Sequence, residues 1–343
     1  MNLSLLSKYR SALMGFAILW VISFHLPKPR IPLLSEFLSL GYGGVDMFLF
    51  LSGFGLYFSM SKPVRSVTSF YKQRFNRIIP EFWLFLLVTF LVAGDFQSSS
   101  FEALLWKAST VGYWVQAPYS LWYLSCIVLF YACFPLYYRL LQKYGLKVSL
   151  WGIGLGLLLM IVYAVVMVYG YHNRNVGGNL VLSVARIPIF IIGSVFGYLV
   201  KNQVPIVLTR IQKMCLALVA VASFLLLFYV SQFLQAYAWT CSLLFFPFIF
   251  ITPVACFALA SLLDRMPQRV VGWLAWVGSI SLELYIVHEY LYEQYTRLFS
   301  DHYSFPFILA CVLVSIPVAA VALKFCQDRI LSRISQSGNR CKG

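Results

Sequence analysis

Apolar residues run along this chain in long blocks that recur from end to end, separated by short polar intervals. A bilayer core about 30 Å thick needs roughly 20 apolar residues of helix. On that ruler the pattern predicts ten membrane-spanning helices, near 11–26, 45–61, 78–94, 121–141, 149–171, 181–200, 214–234, 239–262, 272–292 and 304–324. The first block follows basic residues, as a signal peptide does. It lacks a small-residue cleavage site and runs into Pro27, Lys28, Pro29 and Arg30, so a retained helix is expected. The predicted fold class is all-α: a polytopic membrane helix bundle, with residues 1–328 as one membrane domain and 329–343 as a loose basic tail.

Composition strengthens this reading, because 61% of residues are apolar and 11% charged, against about 25% charged in soluble domains. Charge placement then sets orientation. With the N-terminus inside, all but six of the 26 Lys and Arg residues fall on the inner side, the exceptions being Lys28, Arg30, Lys107, Arg174, Arg186 and Arg297. Both termini are therefore expected to be cytoplasmic. The same partition accounts for the net charge of +15, so no nucleic-acid partner is called for. The cysteines show no metal spacing and no disulfide framework, and no metal or bound cofactor is expected.

The polar residues that interrupt the apolar blocks are the candidates for chemistry, since ionisable groups inside membranes are costly. His25 ends the first block. Asp46 opens the second, GYGGVDMFLFLSGFGLYFSM, either as a helix N-cap charge or as a site member; Gly55 and Ser59 in the same block suggest a small-residue packing face. In SFYKQRFNRIIPEFW, Arg74 and Arg77 share a helix face with Lys72 nearby, either as ordinary inner-loop cations or as a phosphate site. His288 either hydrogen-bonds a neighbouring helix or faces substrate, and Glu283 either pairs helices or joins the site. Counting about 1.5 Å per residue puts His25 and His288 at a similar height, roughly 22–24 Å from the inner face. Asp46, Trp122 and Arg186 begin inward-running spans and belong to that level. His172 and His302 read as surface residues of outer loops.

Several of these stretches together resemble the bacterial acyltransferase 3 family of integral-membrane O-acyltransferases. GYGGVDMFLFLSGFGL is similar to its G-x-x-G-V-D-x-F-F-x-L-S-G-F pattern, and FYKQRFNRIIPEFW to F-Y-x-R-R-x-x-R-I-x-P-x-x-W, with Gln73 where the first arginine is usual. The run Leu121-Trp122-Tyr123-Leu124, the run from Arg186 to Gly193, and GSISLELYIVH up to His288 also look like its signatures. His25 matches the family's essential histidine. The basic residue usual eleven positions earlier is replaced by Met14, with Arg10 one helical turn before it.

The resemblance implies transfer of an acyl group, commonly acetyl, from acyl-CoA to a hydroxyl of a surface or exported carbohydrate, in the cell membrane. On this reading His25 is the general base, oriented by a carboxylate such as Asp46, and Arg186 stabilises the oxyanion. Lys72, Arg74 and Arg77 hold the donor's phosphates, His288 joins the catalytic level, and Trp122, Tyr123 and Glu283 contact substrate. The residues leave direct transfer and an acyl-enzyme both open, with Ser52 as the remote nucleophile for the latter. The rival class is a transporter or flippase for a glycan or lipid-linked precursor. It predicts related halves with broken helices in corresponding places, and the candidate residues crowd into the first ninety positions.

Overall fold

The computed structural model describes residues 3–62, 66–92, 101–115, 121–169, 182–205, 209–233, 245–299 and 304–340, and every regular element among them is a helix. In chain order these are α1 (Ser4–Lys8), α2 (Arg10–His25), α3 (Pro32–Ser39), α4 (Gly43–Met60), α5 (Val67–Val92), α6 (Phe101–Ala108), α7 (Gly112–Val115) and α8 (Trp122–Tyr144). There follow α9 (Lys147–Tyr169), α10 (Ile187–Lys201), α11 (Arg210–Phe233), α12 (Phe248–Leu263), α13 (Gln268–Ser279), α14 (Ser281–Phe299) and α15 (Phe305–Arg340).

Apolar helix lies in each of the ten predicted stretches, but the ninth is split between α13 and α14, residues 239–244 of the eighth lie outside the described residues, and the helices are not equally long. Among the described residues six helices are long and apolar enough to cross a membrane, counting α10 from Leu182, or seven if α13 and α14, which meet at a 70° bend, count as one span. Arg10–His25, Lys147–Tyr163 and Phe248–Leu263 are shorter. A helix the length of α2 rises about 24 Å, less than the roughly 30 Å hydrocarbon core. The expected loose tail is helical as far as Arg340, as a continuation of α15. His172 and His302 lie outside the described residues.

The bundle is built around α4, which is apolar on all sides and buried along nearly its whole length, as a central helix must be. Its closest partner is α10, and the approach is close because glycines face carbonyls. A methyl at Gly53 would overlap the Phe190 carbonyl, and one at Gly193 the Phe50 carbonyl. A second glycine crossing joins α2 to α13: a methyl at Gly15 would overlap the Leu274 carbonyl, and one at Gly278 that of Ser11. Small residues of this kind let helix backbones touch where lipid removes any hydrophobic drive to associate. On α4 close packing thus falls to Gly53 against α10 and Gly44 against the Ala17 carbonyl of α2, and not to Gly55 and Ser59, which face arginines instead. Near the start of the chain, the Lys8 ammonium (2.8 Å) and the Tyr9 hydroxyl (2.7 Å) both donate to Asp264 at the end of α12.

Gly193→Ala should destabilise the protein by about 1–3 kcal/mol, the usual cost of overpacking, seen as a lowered unfolding temperature in detergent. Gly154→Ala is the matched control, because nothing lies within 4 Å of its added methyl, and it should be neutral.

Candidate active site

Two histidines meet at one level of the bundle. Pro27 disfavours helical backbone at Leu26, which is extended, so α2 stops with His25 as its last residue. Lys28 then folds back and donates to the carbonyls of Phe24 (2.5 Å), Leu26 (2.7 Å) and Ser23 (3.2 Å), closing the helix end that carries the ring. The His25 side chain is 30% exposed, so a ligand can reach it. His288, on α14, is buried, and its ring centroid is 5.0 Å from that of His25, edge to face. The similar heights expected from helix rise are what the two helices deliver.

The tautomer of His288 follows from its surroundings. Its Nδ1 lies 2.8 Å from the Tyr285 carbonyl and 3.2 Å from that of Leu284. Carbonyls only accept, so Nδ1 carries the proton and Nε2 holds a lone pair; Nε2 has no hydrogen-bond partner among the described residues. Beside His25 stands a carboxylate that the apolar pattern does not single out. Glu289 Oε1 is 3.9 Å from His25 Nδ1, within ion-pairing reach of the imidazolium that forms when this ring takes up a proton. Its one signal in the sequence is adjacency to His288.

Asp46 has another partner. It occupies the first turn of α4, and its Oδ2 lies 3.5 Å from a guanidinium nitrogen of Arg186, with both side chains almost wholly buried. Arg186 caps α10, donates to the Leu182 carbonyl (3.0 Å), and is enclosed by the rings of Phe245 (3.9 Å to the centroid) and Trp122 (4.9 Å). Burying a guanidinium requires a counter-charge and ring faces of this kind. Trp122 therefore packs on Arg186, while its neighbour Tyr123 points elsewhere.

Tyr123 lines a cavity of about 340 Å³, together with Arg10, Arg74, Arg77, Met14, Ser52 and Tyr285 among others. Its charge is all of one sign. The Arg10 Nε donates to the Leu51 carbonyl (3.0 Å), and the guanidinium sits where Gly55 has no side chain: an added methyl would come within 2.7–2.9 Å of it. Arg74 donates to the Ser59 hydroxyl (3.0 Å) and Arg77 to the Ser279 carbonyl (3.4 Å) at the α13–α14 bend. Three guanidiniums around one cavity suit a ligand with several phosphates. Arg10 and Met14 line the same space, so Arg10 brings charge to the wall where Met14 has none. Tyr285 lines this cavity and also packs beside the histidines: its ring centroid is 5.6 Å from that of His288, and its hydroxyl accepts from the Tyr123 amide (3.4 Å).

Two expected members stand apart. Lys72 is exposed and does not line the cavity; residues two apart on a helix point to opposite sides, so it cannot share the face of Arg74. Glu283 is fully buried, and its Oε1 lies 3.5 Å from Lys324 Nζ; five residues on a helix turn it well away from the His288 face. Among the described residues no group of three or more His, Cys, Asp or Glu is placed to hold a metal ion.

Comparison with known proteins gives the family. Residues 12–324 match the model of the acyltransferase 3 family, described as an acyltransferase domain. "Acyltransferase MdmB" from Streptomyces mycarofaciens is 32% identical over 165 residues, covering 41% of this chain. The match spans about two-fifths (41%) of that relative's length. No solved structure matches.

Gly55→Ala should displace the Arg10 guanidinium and weaken the binding of pyrophosphate to the purified protein. A loss of about tenfold is expected, the order of one charge-assisted hydrogen bond. Calorimetry reads it directly, and an unchanged affinity would remove Arg10 from the anion site.

Proposed function

Because the chain belongs to the acyltransferase 3 family, we propose that it is an integral-membrane O-acyltransferase of the cell membrane. It moves an acyl group, in the simplest case acetyl, from acyl-CoA to a hydroxyl of a cell-surface or exported carbohydrate. The observation that supports this reading is the pairing of two sites: a cavity walled by Arg10, Arg74 and Arg77, and a histidine pair beside Tyr285, which also lines that cavity.

In this proposal the arginines bind the donor's phosphates from the cytoplasmic side, where the basic loops lie, and the pantetheine arm carries the thioester along the cavity towards His25. His25 takes the proton of the acceptor hydroxyl as its oxygen attacks the thioester carbonyl, a role suited to an imidazole at neutral pH. Glu289 stabilises the imidazolium formed. The tetrahedral intermediate then expels the CoA thiolate, which receives that proton, so acyl-CoA and alcohol become ester and CoA thiol. His288, whose Nε2 lone pair has no partner among the described residues, accepts a hydrogen bond from the acceptor and orients it. Asp46 and Arg186 support the site by holding the start of α4 against α10. Direct transfer is favoured over a Ser52 acyl-enzyme, because Ser52 lines the arginine cavity and neither His25, the base, nor His288 does.

The test is labelled acetyl-CoA supplied to purified protein with a glycan acceptor. Glycan-dependent loss of the thioester and labelled ester are expected; glycan movement with the thioester intact would support a transporter instead. His25→Ala should lower transfer by about 10²–10⁴-fold, the usual worth of a general base, while the protein still inserts. Arg74→Ala with Arg77→Ala should raise KM for acetyl-CoA by at least about tenfold with a smaller change in kcat.

A further inference from the structure

One buried charged cluster has no part in the chemistry above. On α15, Lys324 Nζ lies 3.8 Å from Glu81 of α5 and 3.5 Å from Glu283 of α14, and 3.4 Å from Asp328 on its own helix. Glu81 and Glu283 are fully buried, while Lys324 is 26% exposed. Two carboxylates sharing one ammonium is an expensive arrangement inside an apolar bundle. A second tie lies one turn further along α15. Pro80 interrupts α5, and a helical proline leaves the carbonyl four residues earlier without its hydrogen bond. That carbonyl belongs to Asn76, and the buried Gln327 amide donates to it (2.9 Å).

What these ties connect is informative. α5 carries Arg74 and Arg77, and α14 carries Tyr285 and His288, so the cluster spans the helix that faces the phosphate cavity and the helix that faces the histidine level. Arg77 and Glu81 are four residues apart on one face of α5. Lys324 itself lines neither the cavity nor the histidine pair. A donor anchored by its phosphates at one end and reacting at the other needs those two ends at a fixed separation.

We infer that Lys324 and Gln327 are positioning residues: by clamping α5 to α14 they set the distance between the phosphate-binding arginines and the histidine pair. The inference rests on the proposed function and names a further requirement of it, that anchor and reaction centre be held in register.

Two donors separate this role from ordinary stabilisation. Acetyl-CoA uses the anchor, whereas the N-acetylcysteamine thioester of acetate carries the same reacting group without phosphates and needs no fixed spacing. Lys324→Met should lower kcat/KM with acetyl-CoA by about 100-fold, the scale of a misplacement of about 1 Å, and leave the small thioester within about threefold of wild type. Lys324→Arg should restore acetyl-CoA transfer. Gln327→Leu, which alters no charge, should show the same selective loss to a lesser degree and carries the test if Lys324→Met does not fold. An equal fall with both donors, or no fall with either, overturns the inference. Wild-type protein that transfers from neither donor overturns the functional reading itself, and is recognised by needing no variant.

Discussion

Taking a charged side chain out of water costs several kcal/mol unless a partner meets it inside, and in this bundle the partners dictate where helices lie. Arg186 is buried against Asp46 and two aromatic rings, which holds the start of α10 beside the start of α4. Arg10 is accommodated by a backbone carbonyl and by the missing side chain of Gly55. Lys324 gathers carboxylates from two other helices. Between these points the packing is apolar and close, through glycines that let α4 meet α10 and α2 meet α13.

The same constraint sorts polar residues by role. Buried groups that face an opposite charge, such as Asp46 with Arg186, are well placed to hold a frame. Other groups keep capacity for a ligand: His25 is part-exposed beside Glu289, the Nε2 of His288 has no hydrogen-bond partner among the described residues, and three guanidiniums line one cavity.

Much of this was legible in the sequence. Apolar blocks locate the helices, and helix rise alone brings His25 and His288 to one height, where their rings are 5.0 Å apart. The spacing of Arg74 and Arg77 foretold a shared face, and both line the cavity. Partner identity was not legible, because it depends on crossings between distant segments. Glu289 reaches His25 across 264 positions, and Lys324 reaches Glu81 across 243. Asp46 looked like the histidine's carboxylate because both belong to the outer level, but Arg186 is the partner it meets. Lys72 was grouped with the arginines by nearness in sequence, which helical geometry does not respect. The length of α2 was legible, 11–26 expected against Arg10–His25 observed, whereas the start of α12 at Phe248, after Pro247, was not marked by hydropathy.

In the proposed function one ligand spans two levels, with phosphates among the arginines and the acyl carbon at His25. An experimentally determined structure with a non-hydrolysable acetyl-CoA analogue tests it most directly. The account predicts phosphate oxygens within hydrogen-bonding distance of Arg10, Arg74 and Arg77, and the acyl carbonyl beside the His25 ring past Tyr285. An analogue bound with its phosphates away from this cavity, or with its acyl end directed away from both histidines, would contradict it.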